Sequence, residues 1–567
     1  MERIGISYLL GPYQNAVDNA LAKMRRANIA ARIWSNDFNV WKPSPSEIIN
    51  RLGWLYAPDE TLKHLHHVRS ILEPLTGDGL ADVVLLGMGG SSLAADVFNR
   101  VFGSAPGFPA LHVLDTTDPA LIEQTIRKLD LKRTLFLVSS KSGTTLEVVS
   151  LFNYFFNLTR DKLGEEAPEH FIFITDEGSP MLKQALDLQA RYVFINNPNI
   201  GGRYSALSLP GIVPAALIGA DIEKLLKNAA EISRQEKADF FAGGRDSAGI
   251  LLGAALGVLA QYGRDKLTLF LPSAWISFGD WLEQLIAEST GKESKGILPV
   301  VSEPQPASSV YGKDRAFVFF ESPETDWDSA VAGLAAAGHP ILKIKLSDLY
   351  DLGGQMFLWE MATAVAAHLL GVNPFDQPDV EATKSHTRHC IEQYQASRVS
   401  PGENPALALP DADVFGPVHA ETLAGALIQF LSPPPPGSYA ALLAYLTPSK
   451  SVDEAVSALR TAIVRRFHMA ATTGYGPRYL HSTGQLHKGD AGRGLFIVMT
   501  CDNPTDASIP DSPGKPGSML TFGELKAAQA AGDIAALTEK GRRVVRIHFK
   551  NDPAATLKNL AQALSTL

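Results

Sequence analysis

Residues 82–93 read DVVLLGMGGSSL: an apolar run, glycines at Gly87, Gly89 and Gly90, two serines and a leucine. The near-continuous apolar run DVVLLG predicts a strand covered on both faces, as parallel sheets have. The glycines permit a tight turn and close backbone approach, and Ser91 and Ser92 bring hydroxyls to the free N–H groups of a helix opening near Leu93. Strand, glycine turn and helix N-terminus in that order suit an anion, and a tight strand-to-helix turn with no ligand is the alternative. A Rossmann dinucleotide turn is the competing reading, but its G-x-G-x-x-G is unmet, because Ser92 stands three residues after Gly89.

Working outward, LHVLD, TLFLVSS, HFIFIT and RYVFIN repeat the apolar-strand pattern with helical stretches between them. A doubly wound parallel sheet over residues 79–221 follows. KLTLFLPS, RAFVFFES and PILKIKL predict a second α/β domain over 222–398. Residues 1–78, with apolar residues at helical spacing in YLLGPYQNAVDNALAKM and SEIINRLGWL, read as an N-terminal helical segment. The Pro-, Gly- and Ala-rich stretch 399–437 reads as a linker. GLFIVMT and RVVRIHF mark a C-terminal α/β extension over 438–567, which either extends the second sheet or forms its own.

A length of 567 residues with 45% hydrophobic residues supports several buried cores. Lys and Arg number 51 against 60 Asp and Glu, without long basic blocks, so no nucleic-acid partner is expected. Two cysteines, Cys390 and Cys501, are too few for a disulfide framework, and neither has metal-ligand spacing. The N-terminus lacks a signal-peptide pattern and no apolar run reaches the ~20 residues of a membrane span, so a cytoplasmic protein without a membrane partner is expected.

Three further motifs carry chemistry. LVSSKSGTTLEV (137–148) crowds Ser140, Ser142 and Thr145 around Gly143 at a helix start, and Lys141 adds a cation. Several neutral donors at a positive helix end suit a phosphomonoester, so these residues, with Ser91 and the Gly90 backbone, are expected to bind phosphate. NIGGRYSALS (199–208) lets Arg203 approach something flat and anionic such as an enediolate, or alternatively an interdomain carboxylate. In WLEQLIAESTGKESKG (281–296), Gln284 and Glu288 share one helical face. Glu288 falls near the helix C-terminus, where the dipole disfavours a carboxylate and suits a general base; a solvent-exposed acid is the alternative.

GMGGSSL, SSKSGTT, GGRYS and AESTGK, in this order and spacing, resemble the glucose-6-phosphate isomerase (phosphoglucose isomerase) family, whose fold is two sugar-isomerase (SIS) domains. NPFDQPDVEATK (373–384) is similar to the family segment that ends in an active-site lysine, here Lys384. The family's S-K-T-F-T-T reads SKSGTT here, its ESNGK reads ESTGK, and HSTGQLHKG, like its histidine motif, comes after Lys384 instead of before it. VWKPSPSEIINRLGWL (40–55) and TGYGPRYLHSTGQLHKGD (473–490) resemble the isomerase half of bifunctional transaldolase/phosphoglucose isomerase fusions. No room for a transaldolase barrel precedes the isomerase pattern, so isomerase activity alone is expected.

The resemblance implies interconversion of glucose 6-phosphate and fructose 6-phosphate by ring opening and a cis-enediol, with no metal or redox cofactor. Glu288 would move the proton, Arg203 would stabilise the intermediate, and His481 beside Lys384 would open the ring; His386 is the alternative histidine. The family usually draws this histidine from a neighbouring subunit, which implies a homodimer. Tolerance of mannose 6-phosphate is one alternative. A non-enzymatic SIS-type sensor is another, against which Glu288 and the Lys384 motif count, since a sensor needs no proton-transfer groups. An amide-transfer SIS enzyme would need an N-terminal glutaminase cysteine, and both cysteines lie late in the chain.

Overall fold

The computed structural model describes residues 5–77, 79–241, 246–304, 310–397 and 404–566. The described chain opens on a short strand, β1 (Ile6–Leu9), where the apolar run suggests helix. The helical part of that run begins only after Gly11 and Pro12, with the helix Gln14–Arg26.

The first sheet holds β2 (Asp82–Gly87), β3 (Ala110–Leu114), β4 (Thr134–Ser139), β5 (Phe171–Thr175) and β6 (Tyr192–Ile195). Its order is β3-β2-β4-β5-β6, all parallel. Val83 to Leu86 are buried on both faces, as the apolar run requires. One face carries Phe136, Phe171 and Phe173, on which Phe152 of the helix Leu146–Leu163 packs, and each such side chain contributes roughly 1.5–3 kcal/mol by leaving water.

The second sheet holds β7 (Lys266–Phe270), β8 (Leu298–Val300), β9 (Arg315–Glu321) and β10 (Ile341–Lys345). They run parallel, and β1 closes the β10 edge antiparallel in the order β1-β10-β9-β7-β8. The helix Asp351–Leu370, apolar almost all round, is buried against the helix Ala248–Gln261.

The stretch 399–437 is not a linker where it is described; residues 399–403 lie outside the described residues. It contains β11 (Leu407–Ala408), β12 (Ala412–Phe415) and the helix Leu423–Leu431, whose apolar residues join a core. With β13 (Tyr439–Tyr445), β14 (Ala470–Tyr475), β15 (Gly494–Cys501) and β18 (Arg543–Phe549), these strands form a separate third sheet of order β11-β12-β18-β15-β13-β14. A two-stranded ribbon of β16 (Ser508–Ile509) and β17 (Leu520–Thr521) lies between β15 and β18 in the chain.

This third module is stapled onto the first sheet. Ile509, Phe522 and Leu525 join the core cluster that holds Phe152 and Phe156, and the Phe522 ring meets Tyr154 edge-on. Lys526 Nζ reaches Asp118 Oδ2 at 2.7 Å, and Arg478 reaches Asp96 at 2.8 Å and Asp115 at 3.2 Å. Among the described residues, no helix is long and apolar enough to cross a membrane.

Candidate active site

The carboxyl ends of the first-sheet strands face a cavity of about 910 Å³. The helix Ile276–Thr290, the helix Val380–Ser397 and the turn around His481 also line it. Gly90 lets two walls meet: a Cβ there would stand 2.0 Å from the Gly202 carbonyl oxygen.

The SKSGTT loop follows β4. Gly143 has φ +69°, and a Cβ there would come within 2.8 Å of Met181. Ser142 and Thr144 are exposed in the cavity wall, where the Thr144 hydroxyl donates to Ser142 Oγ at 3.1 Å. Thr145 lines the wall at the N-cap of the helix Leu146–Leu163 without capping it through its side chain. Ser91 is half-buried in the same wall.

Two of the expected phosphate residues are occupied within the protein. Ser140 is buried and is not part of the cavity wall; its Oγ accepts from Gly143 N at 3.1 Å and donates to Thr145 Oγ1 at 3.3 Å. The side chain shapes the loop from inside. Lys141 lines the cavity, but its Nζ is bound to the Asp176 carboxylate and, at 2.9 Å, to the Pro198 carbonyl.

Arg203 is buried, and each nitrogen of its fork has a partner, with four contacts for five N–H groups. Nη1 lies 3.0 Å from Glu288 Oε1, Nε donates to Ser289 Oγ at 2.9 Å, and Nη2 donates to the carbonyls of Pro374 at 2.6 Å and Asp376 at 2.9 Å. The interdomain-carboxylate reading of Arg203 is met, since it pairs with Glu288, and both residues line the cavity. Behind it, Lys292 donates to the Asp376 carboxylate at 2.8 Å. Burial, and then the charge of Arg203, push its pKa down to about 8.

Glu288 is buried, not a solvated acid. Its Oε2 accepts from Gln284 Nε2 at 3.0 Å, and the same amide nitrogen donates to the His481 carbonyl at 2.8 Å. Gln284 Oε1 is buried without a hydrogen-bond partner, an acceptor available beside the cavity. Lys384 lines the same cavity.

His481 ends a short 3-10 turn, and its Nε2 lies 3.0 Å from Glu147 Oε1. Burial favours the neutral imidazole, but the charge of Glu147 and its hydrogen bond outweigh this and raise the His481 pKa. Burial likewise works to raise the pKa of Glu147, and the facing imidazolium reverses it to a net lowering.

The other histidines stand elsewhere. His386 pairs with exposed Glu539 at 2.8 Å and does not line the cavity. His487 is buried among Tyr439, Tyr479 and Phe496, and its pKa is pushed well below the ordinary value by burial and by Lys488. His481 thus reaches the cavity of its own chain.

Glu147, Gln377, Lys488 and Gln529 line the cavity without having been singled out from the sequence. Glu147 stands in the quoted motif two residues after Thr145, so its place on the first turn of the helix was available as a signal. Gln529 carries no local signal.

A hydroxyl-lined nest, a buried carboxylate paired with a guanidinium, and an imidazole–carboxylate pair around one cavity are the equipment of a phosphosugar isomerase on a two-domain SIS fold. The family model described as phosphoglucose isomerase matches residues 60–313. The glucose-6-phosphate isomerase of Campylobacter jejuni is 30% identical over 348 residues, covering 53% of this chain and 83% of that one. That of Rubrobacter xylanophilus is 29% identical over 385 residues, covering 59% and 88%. A crystal structure of a glucose-6-phosphate isomerase from Chlamydia trachomatis shares the fold with a TM-score of 0.59 at 19% identity, over 69% of this chain and 89% of that one. The chain belongs to the phosphoglucose isomerase family.

Proposed function

We propose that the family's reaction runs here with the following division of labour. The chain is an aldose–ketose isomerase that interconverts glucose 6-phosphate and fructose 6-phosphate. The phosphate sits against the hydroxyls of Ser142, Thr144, Thr145 and Ser91 and the backbone at Gly90. Protonated His481, oriented by Glu147, delivers its proton to the ring oxygen as the bond from that oxygen to C1 breaks, and the anomeric hydroxyl, with Lys384 beside it, loses its proton to solvent. Glu288 takes the C2 proton and returns it to C1. Arg203 stabilises the enediolate oxygens in between.

One observation carries this reading: a single cavity collects Glu288, Arg203, Lys384, His481 and the hydroxyl nest from separate stretches of chain. A coupled assay of fructose 6-phosphate conversion tests it, with Glu288→Gln alongside. Absence of conversion by the native protein would reject the activity, and full activity of Glu288→Gln would reject the assignment of the base.

A further inference from the structure

The Glu147 carboxylate has a second donor that ring opening does not require. Its Oε1 accepts from His481 Nε2 at 3.0 Å and also from Gln529 Nε2 at 2.7 Å. Gln529 belongs to the helix Phe522–Glu539 of the third module and is 3% exposed. Its Oε1 accepts from Thr117 Oγ1 at 2.7 Å. An ionised carboxylate only accepts, so Glu147 requires the Nε2 end of the amide to face it, and the Thr117 hydroxyl anchors the amide by donating to the oxygen at the other end. Three residues earlier, Lys526 is bound to Asp118, the neighbour of Thr117. The helix is therefore pinned to the first domain at two points on one face.

We propose that Gln529, oriented by Thr117, is a positioning residue for proton transfer at His481: it fixes the Glu147 carboxylate and shares the charge of the oxygen that faces the imidazole. The proposal rests on His481 being the ring-opening group. An N–H donated to a carboxylate stabilises the anion and draws charge from its other partner. Without that donor, Glu147 holds the imidazolium more tightly, and the proton is given up less readily. Among the described residues, Glu288, Lys384 and, from β13, Tyr445 also face this pair, and Lys488 and Arg388 line the same cavity; the substitutions below leave all five in place.

The test compares Gln529→Leu, Gln529→Glu, Thr117→Val and His481→Ala in the full chain. Two substrates are used across pH: cyclic glucose 6-phosphate, and erythrose 4-phosphate, which has no hydroxyl placed to close a ring. Gln529→Leu is expected to lower kcat on the cyclic sugar by about tenfold, leave KM within about twofold, and move the limb due to His481 up by about half a pH unit or more. Erythrose 4-phosphate turnover stays unchanged. Gln529→Glu, nearly isosteric, adds charge and moves the limb further, and Thr117→Val moves it less in the same direction. A limb at the native pH in both Gln529 variants, or equal losses on the two substrates, overturns the proposal. Persistence of the limb in His481→Ala instead overturns the assignment of His481.

Discussion

Glu147 and His481 stand 334 residues apart in the chain and 3.0 Å apart in the fold. The pair joins the first turn of a first-domain helix to a turn of the third module, so docking of that module completes the pair. Its electrostatics give a signed expectation. The raised His481 pKa favours the folded state below the ordinary histidine value of 6.5, and that contribution is lost as pH rises through the folded pKa above 6.5. The lowered Glu147 pKa favours the folded state above 4.5, and that contribution is lost as pH falls through the folded pKa below 4.5. The native alkaline limb for cyclic glucose 6-phosphate should therefore lie above pH 6.5. Glu147→Gln should move it down while sparing erythrose 4-phosphate turnover. A limb indifferent to Glu147→Gln would remove the pair from ring opening.

Phosphate recognition separates the outward hydroxyls from the inward one. Ser142→Ala combined with Thr145→Ala should raise KM by at least about tenfold, since each hydrogen bond to a charged group contributes ~1.5 kcal/mol or more. Ser140→Ala leaves Gly143 N unpaired and should lower the melting temperature along with raising KM. Steady-state kinetics with thermal melts check both, and an unchanged KM in the double variant would place the phosphate elsewhere.

Glu288→Gln preserves shape and the contact with Gln284 but removes the base. A fall in kcat of ~10²–10⁴ is expected. Solvent-hydrogen exchange at C2 should fall with it; exchange at the native rate would show that another group moves the proton.

Arg203→Lys cannot serve Glu288, Ser289 and two carbonyls with a single ammonium. The buried acceptors left unpaired should cost ~1–3 kcal/mol in stability each. Activity should drop beyond what the residual folded fraction explains, as judged by denaturant titration beside kinetics. Native kcat in a destabilised Arg203→Lys would confine the arginine to scaffolding.

Glu283 lies behind the same turn and accepts from Ser482 Oγ at 3.3 Å. Burial, and then the neighbouring Asp280, push its pKa up to about 8. A raised carboxyl pKa favours the folded state below 4.5 and turns against it as pH rises toward 8. Glu283→Gln, which mimics the protonated form, should therefore stabilise the protein at pH near 8 by an amount of order 3 kcal/mol and hardly at all near pH 4. Melting temperatures at the two pH values decide it, and equal shifts at both would contradict a buried, proton-holding Glu283.

By itself the sequence determined the features whose signals are local. Apolar runs such as DVVLLG and RAFVFFES mark strands because burial on both faces leaves no polar alternation. Gly90 and Gly143 mark turns because a side chain would collide or strain there. Glu288, Arg203 and Lys384 stand out through their neighbours in the chain. Tertiary structure alone decided the rest. YAALLAY at 439–445 is a strand of a third sheet, yet a short apolar run reads equally well as buried helix. Residues 407–431 pack into that sheet despite a linker-like composition, since burial against β18 and its helices outweighs local propensity. Ser140 turns inward while Ser142 turns outward, a difference set by the loop's backbone. The meeting of Glu147, His481 and Gln529 depends on three distant segments docking together. No short-range pattern encodes such a contact, because its energy comes from the packing of whole modules.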